Sequence, residues 1–280
     1  MNQNDSNTGS VLLKTIPYLN VISFILGCCG ILFNSLVIIT CRKFPKKTSF
    51  IVCIGSLAYW DGLSSALYGF RFGLFLPIGI NLADVNELMC KAIYISSRIF
   101  WFGSIWQITV LTYERVICLS FPLFYRNYGK TRNAKKICIL LSICVVFVNI
   151  PILYYFRFIN KSCIEDSTRI LYQAFRVFHY YIMAAILPIS LVAIGNAMVI
   201  FGIFKFSSKR KSGKNELNMA FVLLLISFSF MFFLLFANVS VSLGIRLRRM
   251  DEVYANLQIF FNSIATTKSF RDVFIKTFLN

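Results

Sequence analysis

The chain has 280 residues, of which 58% are hydrophobic and 14% are charged, and its mean hydropathy is +0.70. Soluble domains contain about 25% charged residues, so this composition excludes a water-soluble globular fold and indicates a protein of the lipid bilayer. The formal net charge of +18 would suit a nucleic-acid binder. However, the basic residues lie mainly in loops between apolar runs, which argues against nucleic acid as a partner.

Seven apolar runs follow one another along the chain. They cover residues 17–41, 48–70, 90–120, 137–156, 178–206, 217–243 and 253–267. The first six are long enough for an α-helix to cross a hydrocarbon core of about 30 Å, whereas the seventh is short. Residues 1–10 are polar and lack the basic start of a cleavable signal peptide. We therefore expect an all-α fold, a bundle of seven transmembrane helices.

The basic residues indicate which loops face the cytoplasm. They are concentrated after the first, third, fifth and last runs: Arg42, Lys43, Lys46 and Lys47; Arg126, Lys130, Arg132, Lys135 and Lys136; Lys205, Lys209, Arg210, Lys211 and Lys214; Lys268, Arg271 and Lys276. Loops rich in lysine and arginine stay on the cytoplasmic side. We expect a multi-pass plasma-membrane protein with an extracellular N-terminus over residues 1–16, a membrane domain over residues 17–267 and a cytoplasmic C-terminus over residues 268–280.

The last segment, residues 268–280, has the pattern of a short amphipathic helix. Its apolar side chains recur at helical spacing with basic side chains between them: Phe270, Val273, Phe274 and Phe278, with Lys268, Arg271 and Lys276. A helix of this kind lies in the membrane interface and does not cross the bilayer.

The third run has the most informative spacing. It opens on Cys90 and reaches Glu114-Arg115, and a helix from Cys90 to Arg115 would be about 37 Å long. That length crosses the hydrocarbon core with some tilt, so the cysteine and the charge pair would lie at opposite membrane surfaces. A carboxylate and a guanidinium near lipid are costly without a function.

Several motifs occur together in the order typical of one family. They are Gly30 with Asn34-Ser35-Leu36-Val37 in the first run, Leu57-Ala58-Tyr59-Trp60-Asp61 in the second, Glu114-Arg115-Val116 in the third and Pro188 in the fifth. In these motifs the chain resembles the rhodopsin-like (class A) G-protein-coupled receptors, and its tyrosine-rich, charged outer loops favour a peptide ligand. The resemblance implies a receptor that binds an extracellular peptide or other polar ligand and activates a heterotrimeric G protein.

Two of the nine cysteines, Cys90 and Cys163, are expected on the extracellular side, where disulfides form. We predict that they form a disulfide, and the resembling receptors have the same tether between the third span and the second outer loop. The other seven we interpret as small apolar core residues: Cys28, Cys29, Cys41, Cys53, Cys118, Cys138 and Cys144.

The resemblance assigns G-protein coupling to the inner end of the third span. It implies that Glu114 holds Arg115, which moves toward the G protein on activation, and Glu216 would be a second acceptor. Leu123, after Pro122, resembles the apolar residue that inserts into the Gα surface. The alternative is an interfacial ion pair that only fixes the depth of the helix.

A sodium pocket is implied for the middle of the bundle. Asp61 lies about 20 Å from the inner end of its span and Ser104 lies about 16 Å above Arg115, so the two are at comparable depth. The resemblance implies that they bind a sodium ion, with asparagines such as Asn34 nearby. The alternative is a protonated Asp61 that is hydrogen-bonded within the helix bundle.

Arg98 is the second charged residue that we expect inside the membrane. It lies about 12 Å below Cys90, with Trp101 on the same helix face. The resembling receptors bind ligands at this depth, so Arg98 and Trp101 are candidate ligand contacts. The alternative is that Arg98 extends upward to an outer-loop acid: Asp84, Glu87, Glu165 or Asp166.

Glycosylation sequons begin at Asn4 and Asn160 on the expected outer side, and a third at Asn238 lies too deep in a predicted span.

The sequence also departs from the resembling receptors. The fourth run has no tryptophan, Asn196 replaces a tyrosine of the fifth, the sixth has no proline, and no Asn-Pro-x-x-Tyr follows Asn262. Because these elements are missing, the alternative is a divergent or truncated seven-helix receptor without G-protein coupling.

A small-solute transporter or channel is the other alternative, but no internal repeat supports it and only Asp61 and Arg98 are expected as mid-membrane charges. An enzyme is not expected, because His179 is the lone histidine and no catalytic motif occurs. We expect no cofactor, and no metal apart from sodium at Asp61.

Overall fold

The structure, a computed structural model, describes residues 4–44, 48–75, 78–166 and 170–207. It therefore covers the first five apolar runs. The predictions for the sixth run at 217–243, the seventh run at 253–267 and the amphipathic segment at 268–280 lie outside the described residues, as do those for Glu216 and Asn238.

The first helix, α1, spans Asn4–Lys43 and so begins well before the predicted start at residue 17. Residues 4–16 mix polar side chains with a few apolar ones, and the helix continues through Pro17. Only its part Ser23–Lys43 is apolar and long enough to cross a membrane. The first apolar run is therefore the continuation of a longer helix.

The second helix, α2, spans Ser49–Tyr68 and continues as a π-helix over Gly69–Phe75. Thr48 caps its start, since the Thr48 hydroxyl accepts a hydrogen bond of 3.4 Å from the backbone N–H of Ile51. Gly69 lies against α1, because a Cβ added to Gly27 would lie 2.5 Å from the Cα of Gly69. These two glycines let the backbones of α1 and the π-helix approach closely.

The third helix, α3, spans Glu87–Ser120, and Asn86 caps it by accepting a hydrogen bond of 2.8 Å from the N–H of Met89. A short α4 over Pro122–Tyr128 follows, with the proline in its first turn. The next helices are α5 at Thr131–Asn149 and α6 at Ile152–Tyr155.

A β-hairpin joins α6 to the next helices. Strand β1 at Phe156–Ile159 pairs antiparallel with β2 at Ser162–Glu165, and Ile159 is opposite Ser162. The two turn residues, Asn160 and Lys161, have φ values of 51° and 60°. Positive φ at both positions matches the right-handed twist of a two-residue hairpin, and asparagine adopts it readily.

The described chain ends with α7 at Ile170–Arg176, a π-helix at Val177–Ile186 and α8 at Leu187–Ser207. Helix α3 is central, since it packs against α2, α5, α8 and β1. The core between these helices contains Leu57, Ile105, Ile108, Leu111 and Val192, all at most 1% exposed.

Four stretches of the described residues are long and apolar enough to cross a membrane: Ser23–Lys43, Ser49–Arg71, Thr131–Tyr155 and Val177–Gly202. Helix α3 is not among them, although its 34 residues make it about 51 Å long. Its polar residues are packed among neighbouring helices, so its surface can be less apolar than that of a helix that faces lipid. The described part is thus a multi-pass helical membrane protein.

The interpretation of all seven remaining cysteines as core residues is wrong in part. Only Cys41, Cys53 and Cys138 are buried, while Cys144 is exposed and the others are partly exposed. Cys144 lies on a face of α5 that no other described helix covers, where a small apolar side chain is still compatible with lipid.

Candidate functional site

The C-terminal end of α3 has a buried charge pair. Nε of Arg115 lies 2.8 Å from Oε2 of Glu114, and both side chains are buried. The guanidinium of Arg115 also lies over the ring of Phe50 on α2, 3.7 Å from its centroid. An ion pair and a cation–π contact therefore hold the same arginine, which compensates part of the cost of burying it.

A tyrosine of α4 completes this cluster. The hydroxyl of Tyr125 donates a hydrogen bond of 2.6 Å to Oε1 of Glu114. Pro122 and Leu123 precede Tyr125 on α4, and both are exposed, Leu123 to 80%. The helix that follows α3 thus touches the charge pair on one side and presents an apolar side chain on the other.

The middle of the bundle contains a fully buried carboxylate. Ser104 of α3 donates a hydrogen bond to Oδ1 of Asp61 on α2. Asn34 of α1 is buried too, and its Nδ2 donates to the carbonyl of Gly30 at 2.9 Å. The residues predicted for the sodium pocket are therefore all buried, and two of them are in direct contact.

Buried oxygen atoms without hydrogen-bond partners occur at Asp61 and one turn after it on α2. Among the described residues, Oδ2 of Asp61 and the hydroxyls of Ser64 and Ser65 are of this kind. Hard cations prefer oxygen ligands, and one carboxylate with hydroxyls supplies them. The described residues contain no group of three or more His, Cys, Asp and Glu that could bind a metal ion, so this set does not resemble a transition-metal site.

The N-terminal end of α3 is tied to the hairpin. Cys90 and Cys163 form a disulfide with a Cα–Cα distance of 5.5 Å, which links α3 to β2 as the sequence led us to expect. Asp84 strengthens this link, because its Oδ1 accepts a hydrogen bond of 2.7 Å from the backbone N–H of Cys163. The hairpin therefore has a fixed position above the helices.

Arg98 and Trp101 lie below the disulfide on α3. The guanidinium of Arg98 is 5.8 Å from the ring centroid of Trp101. The carboxylate of Glu165 in the hairpin is near enough to interact with it electrostatically. Arg98 therefore lies on the side of α3 that faces the hairpin.

Sequence reasoning missed a third charged residue in this region. Arg71, in the π-helix after α2, is only 8% exposed, and its guanidinium lies 4.9 Å from the ring centroid of Tyr94. Arg71 ends the second apolar stretch and lies at the level of Tyr94, near the end of α3 that carries Cys90. The predicted run ends at Phe70, one residue before it, and the arginine at that boundary was the available signal.

His179 is also deeply buried. Its Nε2 lies 3.0 Å from Oδ1 of Asn149, and its ring stacks on Phe102 with a centroid distance of 4.2 Å. Gln107 is a further buried polar residue of α3. No sequence motif surrounds either residue, so their contacts could not be predicted from the sequence.

Comparison with known proteins decides the family. The model of the serpentine type 7TM GPCR chemoreceptor Srx family matches residues 24–222, well over half of the chain. The chain belongs to this receptor family. The membership confirms the interpretation as a rhodopsin-like receptor, and a receptor of this family is not an enzyme.

Similar curated proteins are also receptors. This receptor is 29% identical over 164 residues to chemerin-like receptor 1 of Rattus norvegicus, covering 55% of this chain and 41% of the relative. It is 28% identical over 152 residues to the fMet-Leu-Phe receptor of Oryctolagus cuniculus, covering 52% and 40%. It is 25% identical over 249 residues to somatostatin receptor type 2 of Mus musculus, covering 82% and 65%. The receptor thus spans about two fifths of the length of the first two relatives.

Proposed function

We propose that this receptor binds an extracellular peptide or similar polar ligand at its outer side and activates a heterotrimeric G protein at its inner side. The observation that carries the proposal is the buried Glu114–Arg115 pair at the inner end of α3, held between Phe50 and Tyr125. A buried arginine with several partners that can exchange is suited to a switch. Two relatives, the fMet-Leu-Phe and somatostatin receptors, favour a peptide by their names.

The proposal includes a full membrane topology. Residues 17–267 form seven spans in the plasma membrane, the N-terminus is extracellular and residues 268–280 lie in the cytoplasm. The basic residues around α4 support this orientation, since Arg126, Lys130, Lys135 and Lys136 are exposed at the end of the bundle that contains Arg115. The N-terminal part of α1, before residue 17, then extends outside the bilayer.

The proposed G-protein contact consists of Arg115 together with Pro122 and Leu123. Leu123 is exposed at the start of α4 and is therefore accessible to a partner. We assign the first ligand contacts to Arg98 and Trp101, which lie under the disulfide-linked hairpin.

Two further assignments belong to the same proposal. Asp61, Ser104, Ser64 and Ser65 would hold a sodium ion, whose charge would compensate the buried carboxylate. Asn160 would carry a glycan, because it lies in an exposed hairpin turn. Asn4 is the second proposed glycan site.

Nucleotide exchange on co-expressed G proteins tests the coupling. Membranes with the native receptor should exchange nucleotide faster than membranes without it, in the basal state or with tetrapeptide mixtures added. Arg115→Ala should abolish the increase at equal surface expression. Arg126→Ala is the matched control, since it removes an exposed arginine of α4. Equal exchange by the native receptor and Arg115→Ala would refute the proposed role of Arg115.

A receptor that binds ligand without coupling is the second candidate. The observation that favours it is the lack of a proline in residues 217–243 and of Asn-Pro-x-x-Tyr after Asn262, since a helix without proline lacks an obvious hinge. It predicts saturable ligand binding without any nucleotide exchange across several G-protein classes. Strong ligand-driven exchange by the unmodified receptor would exclude it.

A further inference from the structure

Helix α5 has one buried face and one exposed face. The buried positions are Ala134, Cys138, Val145 and Asn149. At 100° per residue, these four positions lie within about 60° of one another around the helix axis. Among the described elements, α2 and α3 pack against α5. The opposite face carries a row of exposed side chains: Arg132, Lys135, Lys136, Ile139, Leu140, Ile143, Val146 and Phe147.

This exposed face changes from basic to apolar along the helix. Its first two turns carry the three basic residues, here called the basic end of α5, and the five that follow form an apolar strip. Lys136 precedes Ile139 by only about 4.5 Å along the axis. Because α5 belongs to a stretch that is apolar and long enough to cross a membrane, the strip is suited to contact acyl chains. The basic end then lies at the level of the headgroups of the same lipids, where long cationic side chains are stable.

The described part of the chain supplies no carboxylate to the basic end of α5. Residues 115–164 contain neither aspartate nor glutamate. Glu114, the acid that precedes them, is buried and contacts Arg115 and Tyr125. The ion pairs found among the described residues do not include the three basic residues of α5. Their charge is therefore open to an anion from outside the described chain.

We propose that the basic end of α5 binds the headgroup of an anionic phospholipid whose acyl chains lie along the apolar strip. A phosphate group suits these residues, since a guanidinium forms paired hydrogen bonds with it and ammonium groups add charge. The arrangement favours a lipid over a soluble anion, because the basic and apolar side chains lie on one face of the same helix.

The choice of leaflet rests on the proposed topology, which places this end of α5 at the cytoplasmic side, where anionic phospholipids are concentrated. The lipid site itself does not depend on G-protein coupling. It adds a partner to the receptor that neither the ligand contacts nor the Glu114–Arg115 pair involves.

The test measures lipid binding to the purified full-length receptor in detergent micelles, with native mass spectrometry counting the bound molecules. Three lipids with the same acyl chains are compared: phosphatidylinositol bisphosphate, phosphatidylserine and phosphatidylcholine. The native receptor should bind its first phosphatidylinositol bisphosphate at a concentration about tenfold lower than phosphatidylcholine, with phosphatidylserine in between. Higher ionic strength should reduce this advantage, because salt screens exposed charges. Soluble inositol trisphosphate should bind more weakly than the lipid, since it lacks acyl chains.

Two double variants assign the advantage to the basic end of α5. Arg132→Gln/Lys136→Gln removes two charges one turn apart and should reduce the advantage to about twofold or less. Arg126→Gln/Lys130→Gln is the matched control, since it removes an exposed arginine and an exposed lysine at the same spacing, from α4 and the turn after it. The control should keep the advantage. If either variant does not fold, the ionic-strength series and the soluble headgroup decide with the native receptor.

Equal losses in the two double variants would refute the proposal, because net charge alone would then attract the lipid. Equal binding of phosphatidylcholine and the anionic lipids would refute it too, as would inositol trisphosphate binding as tightly as its lipid. Reduced nucleotide exchange in Arg132→Gln/Lys136→Gln with unchanged lipid binding would assign the basic end to the G protein instead. A receptor without nucleotide exchange that keeps the lipid advantage would lose the proposed coupling and retain this inference.

Discussion

Tyr125 of α4 and Glu114 of α3 are joined by a hydrogen bond of 2.6 Å, while the same carboxylate lies 2.8 Å from Nε of Arg115. The pKa of the Tyr125 phenol lies far above its usual value, first because of burial and then because of the Glu114 carboxylate. The phenol therefore stays protonated and keeps donating at physiological pH. One carboxylate thus connects α4 to the arginine that we assign to G-protein coupling.

Tyr125→Phe should loosen this connection. The lost bond to a charged acceptor is expected to reduce the free energy of unfolding by about 1.5–3 kcal/mol, measured as a lower thermal unfolding midpoint of the purified receptor. Basal nucleotide exchange should rise, because Glu114 then has one contact fewer to fix its position. Tyr128→Phe is the control, since Tyr128 is exposed and only stacks on Phe124. Equal effects of both variants would contradict the prediction.

The apolar runs of the sequence predicted where α2 and α3 begin. The second run was predicted to begin at residue 48, and Thr48 is the cap of α2; the third was predicted to begin at residue 90, and α3 begins at Glu87. The extension of α1 back to Asn4 was not predicted, because the residues before 17 are not part of an apolar run of spanning length. The two π-helices could not be predicted, because the sequence has no pattern for them.

Side chains that meet within or between neighbouring helices were easier to predict than those that depend on loops. Depth along two helices was enough to expect Asp61 and Ser104 near each other, and they form a hydrogen bond. Tyr125 was missed because its contact requires the chain to turn sharply after α3. Arg71 was missed because its position depends on a π-helix.

The disulfide should contribute strongly to stability. Cys90 and Cys163 are 73 residues apart in sequence, and closing such a loop stabilises a fold by about 4 kcal/mol in the chain-entropy picture. Replacing both with serine should lower the unfolding midpoint and reduce surface delivery, whereas Cys144→Ser, an exposed free thiol, should change neither. Mass mapping of surface-expressed receptor that finds both thiols free would disprove the bond itself.

Sodium should stabilise the receptor through Asp61. At a concentration ten times the dissociation constant, a bound ion adds about 1.4 kcal/mol to the free energy of unfolding. The unfolding midpoint should therefore be higher in sodium chloride than in choline chloride at equal ionic strength, and Asp61→Asn should remove the difference. Ser56→Ala, a hydroxyl of α2 that bonds to Gln107 instead, should retain it. Identical midpoints in the two salts would favour a protonated Asp61 without an ion.

Gln107 joins three helices by its side-chain amide, and its replacement should show how much this connection contributes. Its Oε1 accepts a hydrogen bond of 3.2 Å from Ser56 of α2, and its Nε2 lies 3.3 Å from the carbonyl oxygen of Cys53 and 3.5 Å from Sγ of Cys138 on α5. Gln107 is fully buried, so water cannot replace these partners.

Gln107→Leu keeps the approximate volume but removes all three contacts, and we expect a loss of about 1–3 kcal/mol in the free energy of unfolding. Gln107→Glu should cost more, because a buried carboxylate would be added where the amide now donates. Thermal unfolding midpoints of the purified variants give the order of their stabilities. Asn127→Leu of α4, which replaces an exposed side-chain amide, is the control. If Gln107→Leu unfolds at the native midpoint, packing alone holds α5 against α2 and α3, and the amide has no structural role.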